Sequence, residues 1–195
     1  AATLLTAPAF AQTARTAETG QANAPDQKPA FEGQTRATLP DSTPEIAVDV
    51  VAQGLPHLWA MEFLPDGRML VTAKEGTMHV VSQENGEASP AIEGVPDVMS
   101  NGQGGLLDVA LAPDFESSNR IYFSYSEPRE GGNGTSVASA ALAEQDGKFS
   151  LQDVKVIFQQ MPTYDGDKHF GSRLVFGPQG ELYVTVGERS DAETR

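Results

Sequence analysis

The sequence predicts an all-β fold assembled from repeated antiparallel hairpins. Three segments share one pattern, in which a short strand, a prolyl turn and a second short strand follow one another. The turns begin at Pro65, Pro113 and Pro178, and proline presets the first dihedral angle of such a turn. The flanking runs are rich in β-branched and aromatic residues and are too brief for helices, which favours strands.

Each hairpin is expected to belong to a unit of about four antiparallel strands. The first hairpin, residues 59–72, is followed by a strand-like run at 77–81. The second, residues 107–125, is followed by runs at 136–142 and 154–159, and the third spans residues 174–186. Residues 127–134 are rich in glycine and charge, which predicts a surface loop between strands.

Repeated four-stranded units at this spacing are typical of a β-propeller. The turn prolines are separated by 48 and 65 residues, close to the blade period of about 40 to 50 residues in propellers, with one longer insertion. A β-sandwich with regular hairpins is the alternative that the pattern leaves open. About three units cannot close a ring of blades, so we expect an incomplete propeller in a truncated chain.

The first residues predict export from the cytoplasm. Residues 1–11 end in Ala9-Phe10-Ala11, the small-x-small pattern of a secretory cleavage site, and are interpreted as the remnant of a signal peptide. An Ala-rich disordered tail is the alternative. Residues 12–45 contain almost no large apolar side chains and predict a disordered linker, so residues 46–195 form the predicted propeller portion. We expect a periplasmic protein without a membrane span.

Composition excludes several classes of function. The net charge of -14 repels phosphate backbones, so nucleic acid is not an expected partner. The sequence contains no cysteine, which excludes thiolate catalysis, disulfides and Cys-based zinc sites.

Candidate functional residues lie where the first strand of a hairpin begins and the second ends, because these two points share one edge of a blade. They are His57 in the first unit, Gln103 in the second, and His169 and Glu188 in the third. Each has a simpler explanation. The histidines could be solvated or packed at a strand start, Glu188 could be a solvated carboxylate, and residues 101–105 could be a glycine-rich turn.

Two motifs resemble signatures of the soluble quinoprotein glucose/sorbosone dehydrogenases, in particular the aldose sugar dehydrogenases dependent on pyrroloquinoline quinone (PQQ). Residues 102–115 read GQGGLLDVALAPDF, and residues 169–176 read HFGSRLVF, followed by Val186-Gly187-Glu188. The resemblance implies a six-bladed propeller that oxidises the anomeric hydroxyl of an aldose to a lactone. It implies that His169 is the general base, that Gln103 contacts cofactor or substrate, and that Glu188 lies near the sugar.

The resemblance also implies the cofactor PQQ with calcium. The groups that clamp the quinone and the calcium ligands are expected outside this chain, so the metal ligands are unknown. Lys168 stands where glucose-oxidising members carry an acidic residue, so their sugar preference is not transferred. An electron acceptor of unknown identity and a possible homodimer complete the expected partners.

Two alternative functions stand beside this one. One is a non-catalytic extracellular binding propeller of the same superfamily, which needs no catalytic base. The other is a lactone-hydrolysing propeller with a central calcium, for which Glu62 is the nearby candidate ligand. An isolated segment with an open ring and unpaired sheet edges is expected to aggregate or to lack activity.

Overall fold

The computed structural model describes residues 24–34, 42 and 44–190. The described residues up to Val48 and those from Asp49 onward belong to separate units. In the earlier unit, residues 24–34 contain two turns, and in the later unit regular structure begins at Leu58. The predicted signal remnant, residues 1–11, lies outside the described residues. The boundaries at residues 11 and 45 therefore stay predictions.

Three antiparallel sheets follow one another along the described chain. The first has the order β1-β2-β3, the second β4-β5-β6-β7, and the third is the pair β8-β9. A four-residue helix, α1, lies between β4 and β5. The bounds are β1 Leu58–Phe63, β2 Met69–Ala73, β3 Thr77–Val81, β4 Leu106–Leu111, α1 Phe115–Ser118, β5 Arg120–Arg129, β6 Gly132–Gln145, β7 Lys148–Gln159, β8 Gly171–Phe176 and β9 Leu182–Val186.

The prolyl turns lie where the sequence predicts them. In the first and third hairpins a glycine with positive φ closes the turn, Gly67 at 86° and Gly180 at 92°. Glycine adopts this conformation without the steric penalty of a Cβ atom. In the second hairpin the chain instead enters α1 and leaves through Asn119 in the left-handed conformation. The sequence pattern does not reveal this single helical turn, because it is shorter than two periods.

The predicted surface loop at residues 127–134 is wrong. Glu127 pairs with Gly134 and Arg129 with Gly132, so strands β5 and β6 continue almost to the tip of their hairpin. The tip is held by polar contacts within the hairpin, including one between Arg129 and Glu127 at 2.6 Å. Charge and glycine content suggest solvent-exposed loops, but here the paired backbone keeps the segment in the sheet.

The first strands of the three sheets lie side by side, with β4 in contact with both β1 and β8. Most of the core lies between the first and second sheets, and a smaller cluster joins the second sheet to the third. Leu70, Leu106 and Phe123 are among the side chains fully buried in the larger cluster. Burying a side chain of this size contributes about 1.5–3 kcal/mol, so the contacts between sheets are a main source of stability.

Side-chain hydroxyls connect consecutive sheets at equivalent positions. Thr72 Oγ1 in β2 donates to Leu107 O in β4 at 2.6 Å, and Ser124 Oγ in β5 donates to Ser172 O in β8 at 2.8 Å. Both hydroxyls also accept an N–H from the first strand of their own sheet, beside the point where its register shifts. The same contact is therefore repeated from one sheet to the next.

The all-β prediction is confirmed, and successive antiparallel sheets with neighbouring first strands form a propeller-like arrangement. Four strands occur in the second sheet, whereas the first and third contain three and two strands among the described residues. The six-blade count and the truncation stay predictions. Within the described part of the chain, no helix has the length and apolar character needed to cross a bilayer.

Candidate active site

The third hairpin brings two predicted site residues to one edge. In the β8–β9 pair, Gly171 lies opposite Val186. His169 precedes that pair by two residues and Glu188 follows it by two, so both lie beyond the same end of the hairpin. Their side chains meet, with Nδ1 of His169 2.6 Å from Oε1 of Glu188. The sequence-based expectation that these residues are neighbours is confirmed.

The pair remains accessible to a ligand. The His169 side chain is 42% exposed and that of Glu188 is 35% exposed. When the imidazole is neutral and Nδ1 donates its hydrogen to the carboxylate, the lone pair of Nε2 is left to accept a proton. A carboxylate on one ring nitrogen selects the tautomer and orients the ring, as in many general-base pairs.

Gln103 joins the same site from the second sheet. The side-chain Oε1 of Gln103 accepts the main-chain N–H of His169 at 2.9 Å, and the main-chain N–H of Gln103 donates to Asp167 O at 2.7 Å. Gln103 therefore contacts the residues before and after Lys168. With Oε1 engaged, the two hydrogens of its Nε2 atom remain as donors for a ligand.

Two glycines allow these segments to approach. A Cβ atom on Gly187 would lie 1.9 Å from His169 O, and one on Gly102 would lie 2.5 Å from Asp167 O. Neither distance is compatible with a side chain, so both positions require glycine. His169 itself has φ of 50°, a conformation that non-glycine residues adopt rarely and often at functional sites.

One residue that the sequence patterns do not indicate is a buried arginine behind this site. Arg189 follows Glu188 directly and is 3% exposed, and its guanidinium contacts Asn133, Gly166 and the carbonyl of Lys168. No sequence signal marks it, because a basic residue in a loop ordinarily remains in solvent. Only the tertiary structure shows that it lies beneath the histidine.

His57, the fourth predicted residue, does not join the other three. Its Nδ1 atom pairs with Glu75 Oε1 on the first sheet, and this contact lowers the pKa of Glu75. Its carbonyl accepts the N–H of Lys74 at 2.8 Å, which closes the end of the β1–β2 hairpin. The His57 side chain is 85% exposed, so the structure favours the solvated explanation for His57.

Charged residues also lie on the inner strands. Asp108 of β4 is 2% exposed and accepts hydrogen bonds from Leu174 N at 2.7 Å and Arg173 Nη1 at 2.9 Å on β8. Burial raises the pKa of Glu62 on β1, Asp108 raises it further, and Arg173 opposes both. Among the residues that the structure describes, no group of three or more histidine and carboxylate side chains is placed to hold a metal ion.

Comparison with known proteins places this site in a family context. Residues 55–195 match the family model described as Glucose / Sorbosone dehydrogenase. The chain is 42% identical over 151 residues to the aldose sugar dehydrogenase YliI of Escherichia coli K12, covering 76% of this chain and 40% of that protein. It is 28% identical over 145 residues to quinoprotein glucose dehydrogenase B of Acinetobacter calcoaceticus, covering 69% of this chain and 28% of that protein.

Solved structures show the same similarity in three dimensions. The PQQ-bound form of aldose sugar dehydrogenase from Streptomyces coelicolor aligns with a TM-score of 0.66 and 30% identity, over 75% of this chain and 42% of that one. A crystal structure of a glucose dehydrogenase aligns with a TM-score of 0.71 and 41% identity, over 76% and 43% of the two chains. The chain therefore spans less than half the length of these relatives.

Proposed function

Because the chain belongs to the glucose/sorbosone dehydrogenase family, we propose that it forms part of a quinoprotein oxidoreductase that converts the anomeric hydroxyl of an aldose to a lactone. The observation that carries this proposal is the joint geometry of three residues. Glu188 contacts Nδ1 of His169, and Gln103 binds the main chain of the same histidine. The similarity to aldose sugar dehydrogenases, one of them in a PQQ-bound form, supports an aldose as substrate and PQQ as cofactor.

In this proposal His169 is the general base. Its Nε2 atom accepts the proton of the C1 hydroxyl while the hydride leaves C1 and the carbonyl of the lactone forms. Glu188 holds the ring through Nδ1 and stabilises the imidazolium that results. An imidazole suits this step because its neutral form can accept a proton through one ring nitrogen while the other donates a hydrogen bond.

The hydrogen-bonding atoms of His169 and Gln103 that remain available to a ligand match those of an alcohol and a quinone. The imidazole Nε2 is an acceptor, which matches a hydroxyl donor, and the Gln103 amide hydrogens are donors, which match a quinone or hydroxyl oxygen. PQQ, when bound, would accept the hydride from C1, and this hydride carries both electrons of the oxidation. Gln103 and His169 would contact it or the sugar, and Glu188 would reach either the imidazole or a sugar hydroxyl.

The proposal also includes calcium, an external electron acceptor and a periplasmic location. The described residues contain no cluster suited to a metal, so the calcium ligands are proposed to lie outside them. A periplasmic location rests on the signal-like residues 1–11, and a homodimer and an external electron acceptor rest on the family resemblance alone.

The decisive experiment uses the full-length protein reconstituted with PQQ and calcium. Aldose-dependent reduction of an artificial dye is measured for the wild type and for His169→Ala, with His57→Ala as the control histidine. Turnover that requires PQQ and falls at least about 10²-fold in His169→Ala alone supports the proposal. Absence of both turnover and PQQ binding would instead favour a non-catalytic binding propeller.

A further inference from the structure

The guanidinium of Arg189 is buried against aromatic rings and neutral oxygens. Its central carbon lies 4.0 Å from the centroid of the Phe170 ring and 5.6 Å from that of Tyr164. Nε donates to Lys168 O at 2.9 Å, and Nη2 donates to Gly166 O at 2.8 Å and to Asn133 Oδ1 at 2.7 Å. The acceptors of these three bonds are a side-chain amide and two main-chain carbonyls rather than a carboxylate.

The contacts of Arg189 surround His169. Lys168 and Phe170, the two neighbours of His169 in sequence, both contact the guanidinium. The main-chain N–H of Arg189 donates to the carbonyl of His169 itself, at 3.4 Å. Arg189 therefore contacts the residues before and after His169 and the backbone of His169. Glu188, the neighbour of Arg189 in sequence, contacts the His169 side chain.

Arg189 and its partners also connect strand β6 to the segment 164–170. Asn133, at the start of β6, accepts from the guanidinium through Oδ1 and donates from Nδ2 to Gly166 O at 2.9 Å. A main-chain bridge between Asn133 and Tyr164 holds the segment 164–170 against the same strand. Thr135 of β6 binds the carbonyl of Phe170 at 2.7 Å. The segment that carries His169 is thus tied to a central sheet through Arg189 and its partners.

We propose that Arg189 is a positioning residue that holds the backbone around His169, so that the imidazole stays aimed at the reacting hydroxyl. This proposal rests on the proposed role of His169 as the base. Arginine suits it because its planar group donates several hydrogen bonds in fixed directions and stacks on aromatic rings. A lysine offers a point charge without that fork, so the charge alone does not replace it.

Burying the Arg189 guanidinium costs free energy of desolvation, which indicates that the fold requires this side chain at this position. Burial lowers the pKa of Arg189, Tyr164 and Asp167 act in the opposite direction, and the neighbouring cation Arg129 lowers it further. Removing a guanidinium from water is unfavourable unless its donors are satisfied, and here hydrogen bonds and ring stacking offset the loss. A surface loop that needed no fixed geometry would leave this side chain in solvent.

The test compares Arg189→Lys with Arg68→Lys in the full-length protein loaded with PQQ and calcium. Arg68 is the control arginine, because it also donates hydrogen bonds and stacks on a ring, Phe149 at 5.3 Å, but lies in the turn between β1 and β2. We expect Arg189→Lys to lower kcat by roughly 10- to 100-fold while KM for the sugar changes by less than about threefold. Arg68→Lys should retain the kcat of the wild type.

A second readout does not depend on activity. Amide hydrogen exchange of residues 161–170 should be faster in Arg189→Lys than in the wild type and unchanged in Arg68→Lys. Should Arg189→Lys fail to fold, Phe170→Leu removes the stacked ring but keeps an apolar side chain at this buried position, and the same two changes are expected in smaller degree. Unchanged kcat in the folded Arg189→Lys variant overturns the positioning proposal, whatever its exchange rates.

The outcomes also separate this proposal from the proposed function. If the wild type binds no PQQ and oxidises no aldose, the dehydrogenase proposal fails and catalytic positioning by Arg189 fails with it. Faster exchange at residues 161–170 would then show only that Arg189 anchors the segment. If the wild type is active and Arg189→Lys is equally active, only the positioning proposal fails.

Discussion

The Nδ1 atom of His169 lies 2.6 Å from Oε1 of Glu188, a carboxylate on the opposite arm of the same hairpin. The register of β8 with β9 creates this contact, since Gly171 and Val186 face each other just inside it. Both side chains are partly exposed, so solvent weakens their attraction until a ligand covers them. The pair is therefore better understood as an oriented imidazole than as a source of stability.

Glu188→Gln tests this orientation. The amide keeps the volume of the side chain but loses the charge that stabilises the imidazolium, so kcat for aldose oxidation should fall by roughly 10²-fold. Glu181→Gln, at the far end of the same hairpin, is the control and should leave kcat unchanged. Steady-state assays of both full-length variants with PQQ check the prediction, and equal activity of the two would contradict it.

Gly187→Ala tests the close approach of the two arms. The added Cβ would lie 1.9 Å from His169 O, so the backbone must move and activity should be largely lost. Gly180→Ala is the control, because its Cβ meets nothing within 4 Å and only its positive φ is strained. That strain costs roughly 1–2 kcal/mol without displacing the site. Thermal unfolding and kcat of both variants separate lost stability from lost geometry.

Ser124→Ala tests the hydroxyl contacts between sheets. The buried hydroxyl donates to Ser172 O and accepts Asp108 N, so its loss leaves two main-chain groups without this partner. We expect the free energy of unfolding to fall by about 1–3 kcal/mol. Ser117→Ala, whose exposed hydroxyl also donates to a carbonyl, that of Asp114, should change it by less than about 0.5 kcal/mol. Denaturant unfolding of both variants measures the difference.

The pH dependence of stability should report on Glu127 at the tip of the β5–β6 hairpin. Burial acts to raise the pKa of Glu127, but hydrogen bonds from Gln159, Ser136 and Arg129 outweigh it and lower the pKa below the ordinary 4.5. A carboxyl whose pKa is lower in the folded state stabilises the fold above its unfolded pKa. That contribution disappears as the pH falls through the folded pKa.

Glu127→Gln should therefore destabilise the protein at pH 7, and the difference from the wild type should shrink below about pH 4.5. Glu130→Gln, in the turn at the tip of the same hairpin, is the control for removing a nearby carboxylate. Unfolding free energies of the three proteins measured from pH 3 to pH 7 test this. A constant difference across that range would contradict the assignment.

The chain alone, residues 12–195, should aggregate or lack sugar oxidation. Large apolar side chains of the strands are exposed, among them Trp59 at 45% and Phe63 at 53% on β1 and Ile157 at 46% on β7. Unpaired edges with such side chains favour association with other chains. Size-exclusion chromatography, dye binding and the aldose assay compare it with the full-length protein. A soluble and active preparation of this segment would overturn the prediction.

Local patterns were sufficient for the hairpins and their turns. Pro65, Pro113 and Pro178 each lie in a turn, because proline restricts the backbone wherever it stands. The same patterns failed at residues 127–134, where a charged and glycine-rich composition predicted a loop. Pairing with a neighbouring strand overrides composition there, and single-sequence patterns do not contain that information.

The sequence by itself determined the all-β class, the edge on which His169, Gln103 and Glu188 lie, and the family to which the chain belongs. These follow from the two-residue period of strands, from turn chemistry and from motifs, all of which are local. The tertiary structure alone decided that His57 pairs elsewhere and that Arg189 lies buried beside His169. Such contacts depend on how separate sheets pack, and a residue carries no local signal of the distant partners that will cover it.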